Sequence, residues 1–390
     1  MAKHGIGLIG CGGRLRGVVG QVLKATDEAE VVALHDPNPK SIEAAKEKFN
    51  SSAKVHDSVE ALVQDADVEW VMIGSWNCFH AEQVIAAFNA GKHVFCEKPL
   101  ALTVEDCLAM RDAWQKSGKN FTIGFTLRYS PHYQRIKEII QSGKLGDIIS
   151  MEFNETLGFN HGGYIHADWR RKTEWAGTHL LEKCCHDIDL VNWMLESMAV
   201  KTASFGGCDF FIPENEGHSA RIGSNADGKE AYKTWNNRDK NVIQGNIYSP
   251  FNDDKDILDN QVAIVEFANG VRSTFHTNCN CAIPERRFYI CGTEGTMRAD
   301  VIEGTIEVQR IGFETEIEDM STEAKGGHGG GDHILGKSLA DTMLKGTPSL
   351  TSLDDGLKAA FTAFGMDEAQ RTGKVVDLTP MWEKAGLKVK

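Results

Sequence analysis

The triplet Glu97-Lys98-Pro99 follows directly on the apolar run His93 to Cys96. That run reads as a buried strand of a parallel sheet, and residues just past the carboxyl end of such a strand stand where ligands bind in open α/β folds. The proline stiffens the turn that presents Lys98. An ammonium there can stabilise an oxygen on which negative charge develops, so Lys98 is read as functional rather than as solvated surface charge. Ser75-Trp76-Asn77 follows the run Trp70 to Ile73 and falls on the same edge. A third turn, Gly10-Cys11-Gly12-Gly13-Arg14-Leu15, follows the run ending at Ile9 and opens a helix. Its G-x-G-x-x pattern lets backbone approach a pyrophosphate, although Leu15 stands where glycine or alanine is usual. Asp36 comes 26 residues after Gly10, at the end of the next strand. A carboxylate there accepts ribose hydroxyls and repels a 2′-phosphate, which predicts NAD in preference to NADP.

The elements that must position these turns are legible as periodicity. Apolar runs at Ile6 to Ile9, Val31 to Leu34, Lys54 to His56, Trp70 to Ile73, His93 to Cys96 and Phe121 to Gly124 alternate with helical patterns at Ser41 to Phe49, His80 to Ala90 and Val104 to Ser117. Alternation of this kind predicts a doubly wound parallel sheet. After Phe125 the strands lengthen and alternate across tight turns, as in Val262 to Phe267, Asn269-Gly270 and Val271 to Thr277. Further strands are expected at Ile148 to Thr156, Arg287 to Cys291, Thr296 to Ala299 and Thr305 to Arg310, with helices at Pro131 to Gln141, His186 to Leu195 and 354 to 372. The expected fold is therefore α/β: a nucleotide-binding domain over 1–125 and an α+β domain with a mainly antiparallel sheet over 126–390. Residues 206–258 read as a long excursion serving as part of a lid. The run Gly326 to Asp332 reads equally as a solvated linker and as a ligand-closing loop.

At 390 residues the chain exceeds what one hydrophobic core usually holds, and two domains usually leave a cleft. A net charge of -13 argues against nucleic acid and membrane surfaces as partners. No apolar run reaches the length of a membrane span, and Met1 to His4 leads straight into a strand without an apolar leader, so a cytoplasmic location is expected. The 10 cysteines lack metal or disulfide spacing and read as reduced core residues.

The stretch Ala90 to Leu100, with the glycine turn, Asp36, the loop Ser75 to His80, Gly124-Phe125 leading to Arg128-Tyr129, the His186/Asp189 pair and Gly292 to Gly295, resembles the glucose-fructose oxidoreductase and inositol dehydrogenase family. The likeness runs over nearly the whole chain. It implies a C-terminal open sheet that often forms the oligomer contact, hence a homodimer or homotetramer, and metal-free oxidation of sugar-like alcohols with NAD. It adds Glu97, Lys98, Arg14, Leu15 and His80 to Gly10, Gly12, Gly13, Asp36, Ser75, Trp76 and Asn77 as cofactor contacts. Its acid-base motif, D-x-x-x-H-x-x-D, maps to Glu182-Lys183-Cys184-Cys185-His186-Asp187-Ile188-Asp189, with Glu in place of the first Asp. The family's usual proline in the loop after the fourth strand is Trp76.

Oxidising a secondary alcohol needs a hydride acceptor, a base for the hydroxyl proton and positive charge near the incipient carbonyl oxygen. If Glu182 to Asp189 is helical, Glu182 and His186 stand four apart on one face, so the carboxylate orients the imidazole. His186 is then the base and Lys98 stabilises the oxygen, or the two exchange roles, with Asp189 orienting the site. Lys98, Glu182 and His186 also touch substrate, joined by Arg128, Tyr129, Asp168, Trp169 and Arg170, donors and aromatic surface suited to a hydroxylated ring. Arg170 and Arg171 would favour a carboxylated sugar. Two other readings use the same residues. One is a redox-neutral glycosidase working through a transient 3-keto sugar, and the other is a regulator that senses NAD and sugar without turnover.

Overall fold

The structure, a computed structural model, describes residues 3–232, 249–324 and 328–389. Six strands form the first sheet: β1 (His4–Ile9), β2 (Ala29–His35), β3 (Lys54–Val55), β4 (Trp70–Ile73), β5 (His93–Cys96) and β6 (Phe121–Ile123). Their order is β3-β2-β1-β4-β5-β6 and every pairing is parallel. The sequence of β4, Trp-Val-Met-Ile, is buried at all four positions, as a strand covered on both faces must be.

Nine strands form the second sheet: β7 (Ile148–Gly158), β8 (Ala199–Gly207), β9 (Asn260–Phe267), β10 (Arg272–Cys281), β11 (Arg287–Gly292), β12 (Gly295–Asp300), β13 (Thr305–Arg310), β14 (Ile317–Asp319) and β15 (Val376–Asp377). The order is β14-β13-β12-β11-β7-β10-β9-β8-β15, with β7 and β10 parallel and the remaining pairs antiparallel. The hairpin expected at Asn269-Gly270 joins β9 and β10, with Gly270 at φ 85.

Packing divides the chain into one unit of 1–130 with 330–360 and another of 131–329 with 361–390. Residues 330–360 thus return to the first unit. The cause is an apolar stripe on the helix Gly331–Lys345: Leu335, Leu339, Ala340 and Met343 join one core with Val18, Val19 and Val22. Gly336 is required at this contact, since a Cβ there would lie 2.3 Å from the Cβ of Gln21. Farther on, the Thr351 hydroxyl donates to the Ile123 carbonyl at 2.7 Å and caps the edge strand β6.

The excursion 206–258 is not a bare loop where it is described; its centre, 233–248, lies outside the described residues. Phe211, Tyr232, Phe251 and Ile257 form a small second core with Leu157, Ile165 and Cys279. Asp259 organises the entry by accepting the backbone N–H groups of Asp209, Phe210 and Phe211 at 3.1, 2.7 and 2.8 Å. Of the run 326–332, residues 326 and 327 also fall outside the described residues.

Candidate active site

The parallel ladder continues past the ends of its strands. Gly10 N–H donates to His35 O, Gly74 to Ile9 O, Glu97 to Ile73 O and Gly124 to Cys96 O, at 2.9, 2.9, 2.9 and 2.8 Å. These bonds bring the glycine turn, the Ser75 loop and the Lys98 loop into one row at the carboxyl edge. Gly10 has φ 80, and a Cβ there would lie 2.4 Å from Ser75 N, so the turn tolerates only glycine. Gly12 and Gly13 have open space where side chains would be. The helix Gly13–Ala25 begins there with no side-chain cap and no acid in its first turn, leaving its N–H groups and positive dipole end for an anion.

Asp36 holds the other end of this cradle. Its Oδ2 accepts Cys11 N–H at 2.6 Å and its Oδ1 accepts Asn38 N–H at 2.7 Å. Each oxygen keeps lone pairs for a hydroxyl. Burial raises the pKa of this carboxyl despite the two N–H donors. Glycine turn, uncapped helix start and acid together fit a dinucleotide.

Several expected cofactor contacts have partners within the protein. Leu15 is fully buried in the core, and a Cβ on Gly74 would sit 2.7 Å from the Leu15 Cβ. The close helix-to-strand packing usually given by the motif's third glycine is thus achieved by a glycine on the facing loop. His80 is also fully buried; its Nδ1 lies 2.8 Å from Pro99 O and its Nε2 3.4 Å from Ser75 O, so it joins two loops. Burial lowers its pKa, keeping the ring neutral. Arg14 donates from Nε to Glu97 Oε1 at 2.8 Å, from Nη1 to Asp332 Oδ1 at 2.5 Å and from Nη2 to Thr126 Oγ1 at 2.6 Å. Burial opposes its charge, but Glu97 and Asp332 outweigh that and raise its pKa. Glu97 is 6% exposed, so its contact is with Arg14 and the turn. Ser75 Oγ donates to Gln83 Oε1 at 2.6 Å, Asn77 is buried, and Trp76 and Lys98 are half-buried. The Lys98-Pro99 peptide is cis.

Arg128 and Tyr129 belong to the first unit, and Asp168, Trp169 and Arg170 to the second. Both are 3% exposed within the first unit, Arg128 paired with Asp355 at 3.1 Å and Tyr129 Oη 3.2 Å from Ser349 Oγ. Their part is to hold the returning segment.

In the second unit, Leu180–Cys184 is a π-helical turn and an α-helix follows over Cys185–Leu195. The four-residue offset from Glu182 to His186 crosses this change of pitch, so a regular α-helical face does not carry both. Glu182 Oε1 instead accepts Arg170 Nε at 3.0 Å. Arg170 also donates to Asp168 Oδ2 and Tyr164 Oη, both at 2.8 Å, and stacks over the Trp169 ring at 4.5 Å. Burial raises the Asp168 pKa, partly offset by Arg170. Arg171 is 2% exposed and paired with Asp254 at 2.9 Å. Both arginines are thus neutralised within the protein, which removes the argument for a carboxylated sugar.

His186 is 4% exposed. Beside it in sequence, Asp187 takes two hydrogen bonds from Arg286, both 2.7 Å, and Arg286 also reaches Glu155 Oε1 at 3.2 Å. Burial and the neighbouring Glu155 raise the Asp187 pKa, while for Glu155 burial is outweighed by Arg286 and Lys183, which lower it. Removing one member of such a buried cluster typically costs about 3–5 kcal/mol. Asp189 is buried at 1%.

Two residues near this centre escaped the sequence reading. Lys183 pairs with Glu155 at 3.1 Å. His161, with Gly158, Phe159 and Asn160, lines a concavity of about 220 Å³. Burial and then the charge of Lys183 hold the His161 pKa down at about 3, so it is a neutral donor and acceptor there. Only the adjacent Gly162-Gly163 hinted at it: a Cβ on Gly162 would lie 1.8 Å from Cys279 O, so the helix Phe159–Ala167 lies close against β10.

A glycine turn, the acid after β2 and an edge lysine are features of a dinucleotide-dependent oxidoreductase fold, and comparison with known proteins agrees. Residues 4–125 match an oxidoreductase family domain with the NAD-binding Rossmann fold, and residues 137–378 match that family's C-terminal α/β domain. The chain belongs to this family, the glucose-fructose oxidoreductase and inositol dehydrogenase family. It is 26% identical over 350 residues to the oxidoreductase YteT of Bacillus subtilis, covering 80% of this chain and 82% of that one. It is 35% identical over 196 residues to the inositol 2-dehydrogenase of Gluconacetobacter diazotrophicus, covering 49% of this chain and 54% of the relative. The match thus spans about half of that dehydrogenase. A levoglucosan dehydrogenase solved with NADH and levoglucosan shares the fold at a TM-score of 0.76 and 20% identity, over 96% of this chain and 99% of that one. The scyllo-inositol dehydrogenase of Lactobacillus casei does so at 0.71 and 21%, over 97% of this chain and 99% of that one. Among the described residues, no helix is long and apolar enough to cross a membrane, and no group of three or more His, Cys, Asp or Glu side chains is placed to hold a metal.

Proposed function

We propose that this protein oxidises a secondary alcohol of a sugar, glycoside or cyclitol, or reduces the corresponding ketone, with NAD. The observation that carries this reading is the Lys98 loop, tied through Glu97 to Arg14 of the glycine turn at 2.8 Å. Such a tie holds an ammonium beside a dinucleotide cradle. The relatives' names supply the substrate class, since inositol and levoglucosan dehydrogenases stand among them.

When bound, the nicotinamide supplies the hydride acceptor. Gly10, Gly12 and Gly13 admit the pyrophosphate, the start of helix Gly13–Ala25 binds it, and Asp36 takes the ribose hydroxyls. His186 removes the hydroxyl proton, and Lys98 donates a hydrogen bond to the same oxygen as it becomes a carbonyl. The reading requires these two side chains to meet at one substrate atom. Glu182 and Asp168 hold Arg170 against Trp169, which offers a hydroxylated ring a polar and aromatic surface. His161 adds a neutral imidazole to that surface.

We also assign a homodimer or homotetramer, supported by the outward face of the second sheet. Phe205, Ile264, Val262 and Tyr289 are 69, 59, 47 and 44% exposed on it. A cytoplasmic location accords with 10 free cysteines.

The test is NADH formation by purified protein over a panel of inositols, free sugars and glycosides, beside Lys98→Met and His186→Ala. Turnover that falls at least about 100-fold in both variants is expected. Aglycone release without net NADH would move the assignment to the redox-neutral glycosidase, and tight NAD binding with no turnover to the regulator.

A further inference from the structure

The mechanism leaves one motif of the sequence unused, the glycine-rich turn around His328. The rings of His186 and His328 lie 6.0 Å apart between centroids, tilted by 60°. The backbone after His328 is built to hold it there: Gly329 and Gly330 have φ 49 and 78, left-handed values that favour glycine. The chain therefore turns sharply just past the imidazole. The two rings differ in access, since His186 is 4% exposed and His328 is half-buried.

A base that takes a proton in each turnover must release it before the next. A buried imidazole needs a carrier for that proton. Two imidazoles joined through one oxygen, each bond being roughly 2.8–3.0 Å between heavy atoms, have ring centroids about as far apart as these. We propose that His328 is the proton relay of His186, receiving through one bridging oxygen the proton taken from the substrate alcohol and passing it to solvent. This rests on the reading of His186 as base.

The step balances. The alcohol O–H bond breaks, its proton passes to His186, and the hydride on the same carbon goes to oxidised NAD, leaving a carbonyl. The His186 imidazolium then gives its proton to the bridging oxygen, which releases one of its own to His328, and His328 releases it to water. No electrons move in the relay, and both imidazoles end neutral.

The experiment compares full-length wild type with His328→Ala, His328→Gln and His186→Ala, with saturating NAD and with myo-inositol, scyllo-inositol and levoglucosan as probes. In both His328 variants kcat should fall about 100-fold, with KM and NAD affinity within about twofold of wild type. Added imidazole should restore the Ala variant by at least about tenfold but leave the Gln variant slow, because glutamine fills the space without carrying a proton. An unchanged kcat in the Ala variant, or restoration by glutamine, overturns the relay. If His186→Ala turns over like wild type, the base reading fails separately; if wild type oxidises none of the probes, turnover decides neither. The relay is then judged by NMR of isotope-labelled histidine: the His186 titration curve should move by about half a pH unit or more in His328→Gln. Identical curves overturn it.

Discussion

Arg14 and Glu97, 83 residues apart in sequence, form an ion pair at 2.8 Å that ties the first turn of helix Gly13–Ala25 to the residue before Lys98. The same guanidinium is held by Asp332 at 2.5 Å, at the start of helix Gly331–Lys345. One side chain thus fixes the place of three segments in the first unit.

Loosening that tie should reduce turnover without abolishing NAD binding. Arg14→Leu and Glu97→Gln are each expected to lower kcat/KM about tenfold. The double variant should be little worse than either, a coupling of about 1–2 kcal/mol. Arg14→Lys should restore little, because an ammonium cannot reproduce the three-way fork. Steady-state kinetics over this cycle checks it, and additive losses would show that the pair does not act as a unit.

Asp36 clamps the glycine turn through Cys11 N–H, and in the proposed function it also sets cofactor choice. Asp36→Ala should therefore weaken NAD about 10- to 100-fold, the loss of hydrogen bonds to a charged acceptor. Asp36→Asn keeps one acceptor oxygen for the Cys11 amide but loses the charge, so it should lose less for NAD and gain for NADP. Calorimetric titration with both nucleotides separates the two effects. Equal NADP affinity in wild type and Asp36→Asn would remove the electrostatic argument.

Much of this architecture was legible, for reasons that particular residues make plain. The central parallel strands announce themselves as apolar runs, as Trp-Val-Met-Ile does in β4, buried at all four positions, whereas the edge strand β3 is exposed at both of its residues. Strand β8 did not, since Ala199–Gly207 interleaves small and polar residues and turns its Phe205 outward. Motif spacing led to Gly10, Asp36, Lys98 and His186. It failed for Leu15, because the close approach a glycine provides had moved to Gly74 on another segment. It also failed for Glu182, because the four-residue rule assumes a regular α-helix and the chain makes a π turn there. The partnership of Arg14 with Asp332 spans 318 residues, and no local pattern encodes it.

The outward face of the second sheet predicts assembly. Across the strands, Ala203 pairs with Ile264, Ile264 with Thr274, Thr274 with Glu152 and Glu152 with Tyr289, while Phe205 pairs with Val262 and Val262 with His276. Exposed apolar residues gathered on one sheet face, here Phe205, Val262, Ile264 and Tyr289, mark a contact surface. Phe205→Glu with Ile264→Lys should convert the oligomer to monomer at micromolar concentration, with far-ultraviolet circular dichroism unchanged. Light scattering coupled to size exclusion reads the mass. A wild-type monomer, or an unchanged mass in the double variant, would reject this face.

Asp367 gives a pH dependence that catalysis does not share. It is buried in the second unit, where Thr178 Oγ1 lies 2.5 Å from Oδ2 and Gln261 Nε2 3.4 Å from Oδ1. Burial pushes its pKa up from 3.8 to about 7, against the lowering effect of those two bonds. A folded-state value above the unfolded one means that the folded protein binds the extra proton. The stabilisation is thus complete below about pH 4 and is lost as pH rises through about 7, by an amount on the order of 4 kcal/mol. Asp367→Asn keeps the shape and stays neutral, so between pH 4 and 7 its unfolding free energy in urea should fall less steeply than that of wild type. Parallel curves for the two proteins across that window would mean that Asp367 is already ionised in the fold and that its two neighbours, not a proton, hold it there.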